Sequence, residues 1–133
     1  MRVTLISIPV RDQLKALEFY TTKLGFVLHK NVDMGGGNRW ITLLSKDLPE
    51  GPEILLEPGP LHFEPCKVYQ DALLEANYPY TQFDVDDVQS EYNRLLALGV
   101  EFLQEPKEMG EVKTAVLNDT VGNNIMLIEY LKA

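Results

Sequence analysis

The segment Asp12-Gln13-Leu14-Lys15-Ala16-Leu17-Glu18-Phe19-Tyr20-Thr21-Thr22-Lys23-Leu24-Gly25-Phe26 opens on a helix cap and closes on a helix stop. The Asp12 carboxylate can accept from the unpaired amides of a first helical turn. Leu14, Leu17, Tyr20 or Thr21, and Leu24 recur at helical spacing. Gly25 can adopt the left-handed conformation that ends a helix. The same grammar returns later in the chain. Asp86-Asp87 offers a cap, Val88, Tyr92, Leu95 and Leu98 mark an apolar face, and Gly99 stops it. The spacing from Asp12 to Gly25 equals that from Asp86 to Gly99. Self-similarity over half a chain sets architecture before any local reading does.

Working outward, residues 3–10 are rich in β-branched residues and read as a strand, followed after the helix by strands over Phe26–Val32, Arg39–Ser45 and Glu53–Glu57. Gly35-Gly36-Gly37-Asn38 reads as a hairpin turn. It is not read as a phosphate cradle, because no helix pattern and no P-loop lysine follow. Lys46 to Pro52 is a loop. Residues 58–78 join the halves, with helical character from Cys66 to Ala76 through Val68, Ala72, Leu73 and Ala76. The pattern then restarts with strands over Pro79–Asp84, Val100–Gln104, Val112–Leu117 and Asn124–Tyr130, and a turn over Asn118–Asn123. The expected class is α+β: a first βαβββ module over 1–60, a helical linker over 61–77, and a second βαβββ module over 78–133. One four-stranded sheet with one helix leaves a face uncovered. Two such sheets paired would form a cup whose concave wall carries every second strand residue, and clefts between packed units are where small molecules usually bind.

At 133 residues the chain can bury a real core. A hydrophobic fraction of 45% with 24% charged residues is that of a globular protein. The net charge of −8 argues against nucleic acid and against anionic membrane surfaces as partners. No run approaches the ~20 apolar residues of a membrane span. Arg11-Asp12 interrupt the apolar start too early for a signal peptide. The single cysteine, Cys66, allows no intramolecular disulfide and fits a reducing compartment. A soluble, cytoplasmic protein is expected.

Phe19-Tyr20-Thr21-Thr22-Lys23-Leu24-Gly25-Phe26 resembles the F-Y-x-x-x-L-G-F signature of the vicinal oxygen chelate superfamily, which includes glyoxalase I, bleomycin-resistance proteins and extradiol dioxygenases. Val10-Arg11-Asp12 resembles the segment before that signature. Asp119-Thr120-Val121-Gly122-Asn123 resembles the D-P-x-G-N turn near the family's C-terminus, with Thr120 in place of proline. The resemblance implies two βαβββ modules forming a cup, commonly in a homodimer. In metal-dependent members four strand positions supply His, Glu or Gln to one divalent metal. Those positions correspond here to Leu5, to Leu55 (or Glu53 if the register slips by two), to Tyr80 and to Met126. Leucine has no lone pair to give. A thioether is too soft for nitrogen-and-oxygen sites, and a phenol must lose a proton with pKa near ~10. No metal is expected there, and no cofactor.

Leu5 and Ser7, Leu55 and Glu57, Tyr80 and Gln82, and Met126 with Ile128 share parity within their strands, so they would line the cup if the family positions face it. One of Arg39 and Trp40, on alternate faces, would join them. His62 is expected either at the cup mouth in ligand contact or as solvated surface. His62, Glu64 and Cys66 alternate but have no second cluster to complete a metal site. His29 is expected to be exposed, and Cys66 lacks a base partner for a nucleophilic role.

The leading expectation is a metal-free member of the superfamily that binds a small organic molecule. If it is catalytic, Glu57 or Glu53 would be the base and Tyr80 the proton donor or oxyanion partner. Two rivals stand beside it. One is a divalent-metal lyase or isomerase of the lactoylglutathione lyase type, with ligands from Glu57, His62 or Glu129. The other is a non-enzymatic protein whose cup is filled by its own side chains.

Overall fold

A computed structural model describes residues 1–132. Its contacts divide the chain into two compact units, Met1–Tyr69 and the remainder from Gln70 onward. The first runs β1 (Leu5–Pro9), α1 (Gln13–Glu18), a π-helical turn (Phe19–Lys23), β2 (Val27–Gly35), β3 (Asn38–Leu44), β4 (Glu53–Glu57) and a short helix α2 (Gly59–His62). The long helix α3 (Glu64–Glu75) crosses the division. The second unit continues with β5 (Thr81–Asp84), α4 (Val88–Ala97), β6 (Phe102–Met109), β7 (Val112–Asn118) and β8 (Asn124–Tyr130). The fold is thus α+β, with two βαβββ modules.

In the first unit the strands lie in the order β1-β4-β3-β2, with β1 parallel to β4 and the other pairs antiparallel. Strand parity divides the sheet into two faces. Ile8, Ile41, Leu43, Ile54 and Leu56 share one, and all are buried. Helix α1 packs on β3 and β4 and closes that face with Ala16 and Tyr20, both wholly buried. Asp12 caps the helix, its Oδ1 accepting from the Lys15 amide at 3.0 Å. Gln13 straps the helix to the sheet: Nε2 donates to the carbonyls of Arg39 (2.6 Å) and Leu56 (2.9 Å), and Oε1 accepts from the Arg39 amide (3.0 Å).

The expected helical face is therefore rotated. Leu14 is exposed, whereas Gln13, Ala16, Phe19 and Tyr20 are buried. Periodicity favoured the leucine, but three backbone partners at the strand ends hold the glutamine instead. The last turn also loosens to π geometry, with the Leu24 amide reaching back to the Phe19 carbonyl. The Thr21 and Thr22 hydroxyls donate to the carbonyls of Leu17 and Glu18, each at 2.6 Å, which competes with regular helical pairing. Gly36 and Gly37, both at positive φ, turn β2 into β3 as expected.

In the second unit the order is β5-β8-β7-β6, with the same pattern of one parallel and two antiparallel pairs. Ala115, Leu117, Ile125 and Leu127 form the buried face. Helix α4 meets it through Val88 and Leu95, and Tyr92 packs edge-on against Phe102 at 4.7 Å. Asp87 is its cap, and the Glu129 carboxylate accepts from the Val88 amide at 3.0 Å. Strand β6 continues to Met109, beyond the expected end at Gln104. Pro106 is tolerated because β6 is an edge strand with register irregularities at this point.

The turn before β8 is a closed hydrogen-bond knot. Asp119 Oδ1 accepts from the amides of Val121 and Asn123, both at 2.9 Å, and Asn123 Nδ2 donates to Asp119 Oδ2 at 2.8 Å. Gln70 of α3 donates to Asn123 Oδ1 at 3.2 Å. All three side chains are buried. In α3 the buried residue is thus Gln70, while Val68, expected on the apolar face, is exposed.

Two substitutions test these straps by urea unfolding. Gly122 has φ +111°, and a Cβ there would lie 2.6 Å from the Gln70 carboxamide. Gly122→Ala should therefore cost about 2 kcal/mol or more. Gln13→Ala removes three bonds and strands buried backbone groups, at an expected cost of about 3 kcal/mol. Wild-type stability in both variants would contradict the described packing.

Candidate functional site

Each sheet has a second face that its own βαβββ helix does not cover. On the first, register places Leu5 beside Glu53, Ser7 beside Leu55 and Pro9 beside Glu57, with Thr42 beside Leu55 and Trp40 two residues along β3. Ser7 and Trp40 are exposed, Leu5, Glu53 and Glu57 half-buried, and Leu55 and Thr42 buried. On the second sheet, Gln82 lies beside Met126 and Asp84 beside Ile128. Tyr80 extends this row, its amide donating to the Asn124 carbonyl at 2.8 Å. Gln82 reaches the Tyr130 hydroxyl at 3.4 Å.

The remaining candidates stand apart from these rows. Arg39 takes the opposite parity to Trp40, and its guanidinium is engaged with Asn31 (2.7 Å) and Asp33 (4.0 Å). His62 is exposed at the end of α2. Glu57 lies near Cys66, whose thiol is pushed up first by burial and then by the Glu57 charge. A thiol held protonated is a poor nucleophile.

One constellation escaped the sequence. Across β4, β3 and β2, Glu53 Oε1 accepts from the Thr42 hydroxyl at 2.8 Å and meets His29 Nδ1 at 2.5 Å. Thr42 is wholly buried, and His29 keeps 42% of its side-chain surface. His29 sits in a register shift between Leu28 and Lys30. Such a bulge re-aims a side chain, and nothing in composition or periodicity announces it. The bonds from His29 and Thr42, aided by the charges of Lys30 and His29, hold the Glu53 carboxyl below its ordinary range despite partial burial. At neutral pH Glu53 is thus an anion with acceptor capacity only, and a weaker base than a free carboxylate.

The donor chemistry at the family's metal positions does not fit a divalent ion. Leu5 and Leu55 offer no lone pair, Met126 offers a soft thioether, and Tyr80 a phenol. Glu53 Oε1 accepts from His29 and Thr42, and Glu129 Oε1 accepts from the Val88 amide. Among the described residues, no three His, Cys, Asp or Glu side chains gather as a metal group.

The depressed Glu53 carboxyl has a definite linkage sign. Its stabilisation is present above the ordinary carboxylate range and is lost as pH falls through the lowered folded-state value. Glu53→Gln should be less stable than wild type in urea at pH 7, and the gap should narrow by pH 3. An equal gap at both would remove the carboxylate from the stability of the unit.

Comparison with known proteins places this geometry. The family model of the Glyoxalase/Bleomycin resistance protein/Dioxygenase superfamily matches residues 2–127. YurT of Bacillus subtilis is 48% identical over 97% of this chain and 99% of its own length. The crystal structure of UcmS2 superposes with a TM-score of 0.80 at 33% identity, covering 96% of this chain and 97% of that one. TnmS3, an antibiotic binding protein from Streptomyces sp. CB03234, gives a TM-score of 0.73 at 26% identity, covering 98% and 96%. None of the helices described is long and apolar enough to cross a membrane. With a family match over nearly its whole length and a fold of two βαβββ modules, the chain belongs to the Glyoxalase/Bleomycin resistance protein/Dioxygenase superfamily.

Proposed function

We propose that this protein binds a small organic molecule against a sheet face that its own βαβββ helix does not cover, without a resident metal. The observation that carries the reading is chemical: the positions that the family resemblance gives to a metal carry Leu5, Leu55 or Glu53, Tyr80 and Met126, at most one hard donor that is ionised at neutral pH. Apolar walls with a few polar groups are the composition of a small-molecule site. In the first unit Trp40, Thr42 and Ser7 share the face of Leu55, and in the second Gln82 lies beside Met126. The likeness to TnmS3, described as antibiotic binding, supports the same direction.

Binding is the primary property. Glu57 and Tyr80 remain candidates for proton transfer to or from the ligand. The working form is a homodimer. Support comes from the edge strand β2, whose Val32 and Met34 are exposed, since a bare apolar edge is a liability unless covered. The setting is the cytoplasm, where the lone thiol of Cys66 needs no partner. The net charge of −8 turns the protein away from nucleic acid.

A thermal-shift screen across aromatic, polyketide-like and thiol-conjugate compounds tests this reading. A true ligand at 100 times its Kd adds about 2.7 kcal/mol, on the order of 10 °C in Tm. The shift should survive exhaustive chelation. No shift with any class would favour side chains that fill their own face, and a shift abolished by chelator would favour a metal-dependent lyase or isomerase.

A further inference from the structure

The Glu53–Thr42–His29 row crosses three strands of one sheet and has a direction. Glu53 as an anion can only accept, so the proton between it and His29 belongs to Nδ1. In neutral imidazole the other nitrogen, Nε2, then carries the lone pair. The Thr42 hydroxyl donates to the same Oε1, which fixes the carboxylate from the opposite side.

The second sheet offers an internal comparison. Its edge strand β6 also slips register beside Gln104, and Gln104 Nε2 donates to Thr114 Oγ1 at 3.0 Å. There the row is built from groups that do not ionise. Only the first sheet carries an imidazole backed by a carboxylate.

We propose that His29 is a proton-accepting ligand contact, oriented by Glu53 and Thr42, and that it selects molecules bearing a weakly acidic aromatic or enolic hydroxyl. This rests on the small-molecule reading above and gives the ligand its chemistry. A lone pair at Nε2 calls for a donor, and an already ionised acid has none to give. The chain's net charge of −8 disfavours anions further. Trp40 and Leu55 on the same face suit an aromatic body. In the step, the ligand O–H bond breaks and an N–H bond forms at Nε2. The electron pair stays on the ligand oxygen, and Glu53 balances the new imidazolium. No co-reactant is needed. Glu53 and Thr42 are positioning residues.

Two measurements on the full chain test it. The first is long-range proton–nitrogen NMR of its two histidines, His29 and His62, at neutral pH. His29 should carry its proton on Nδ1 with Nε2 bare. Glu53→Ala, which removes the acceptor, should erase that preference and leave His62 unchanged. A proton on Nε2 of wild-type His29 would overturn the proposal.

The second uses 4-nitrophenol at a pH where the free compound is mostly protonated. Fluorescence of Trp40, the only tryptophan, reports occupancy, and the yellow phenolate reports proton transfer. Quenching with a stoichiometric phenolate signal is expected, with the colour lost in His29→Gln and kept in His62→Gln. Quenching without phenolate would overturn the role of His29 and leave small-molecule binding standing. No quenching would count against both.

Discussion

A strand shows its side chains to two sides in strict alternation, and each sheet here has one βαβββ helix to cover one of them. That constraint governs the molecule. Ile8, Ile41, Leu43 and Leu56 in one unit, and Ala115, Leu117 and Ile125 in the other, are wholly buried because α1 and α4 close their sides. The alternate residues are left to something else. Their parity places Leu5, Leu55, Thr42 and Glu53 together in the first unit, and Gln82 with Met126 in the second. The helix-covered residues and their alternates thus lie on opposite faces of the same strands, and a register slip of one residue would exchange them.

The straps that hold the covered faces are polar. Gln13 bonds three backbone groups of β3 and β4. Gln70 anchors the Asp119–Asn123 turn at the entry to β8. Each fixes a strand end, and so fixes which residues face outward. The bulge at His29 works in the opposite sense, breaking register locally so that a β2 side chain reaches the Glu53 carboxylate on β4.

Much of the architecture was legible because it rests on local chemistry. Asp12 and Asp87 cap, Gly25 and Gly99 stop at positive φ, and β4 and β8 span the expected residues. The exposed Leu14 and buried Gln13 were not legible, because hydrophobic periodicity cannot see a side chain whose partners are backbone carbonyls distant in sequence. The same holds for Gln70. Shared parity of Leu5, Ser7 and Leu55 followed from period two alone. The His29–Glu53 contact did not, since the partners are 24 residues apart and a bulge has no periodic signature.

The proposal that no metal is resident rests on the residues at the positions that the family resemblance gives to a metal. Leu5, Leu55 or Glu53, Tyr80 and Met126 offer at most one carboxylate where several hard donors would be needed. Elemental analysis of protein purified without chelator tests this most directly. Zinc, nickel, iron and manganese are each expected well below one ion per chain, and one tightly held ion per chain that resists dialysis would contradict the account.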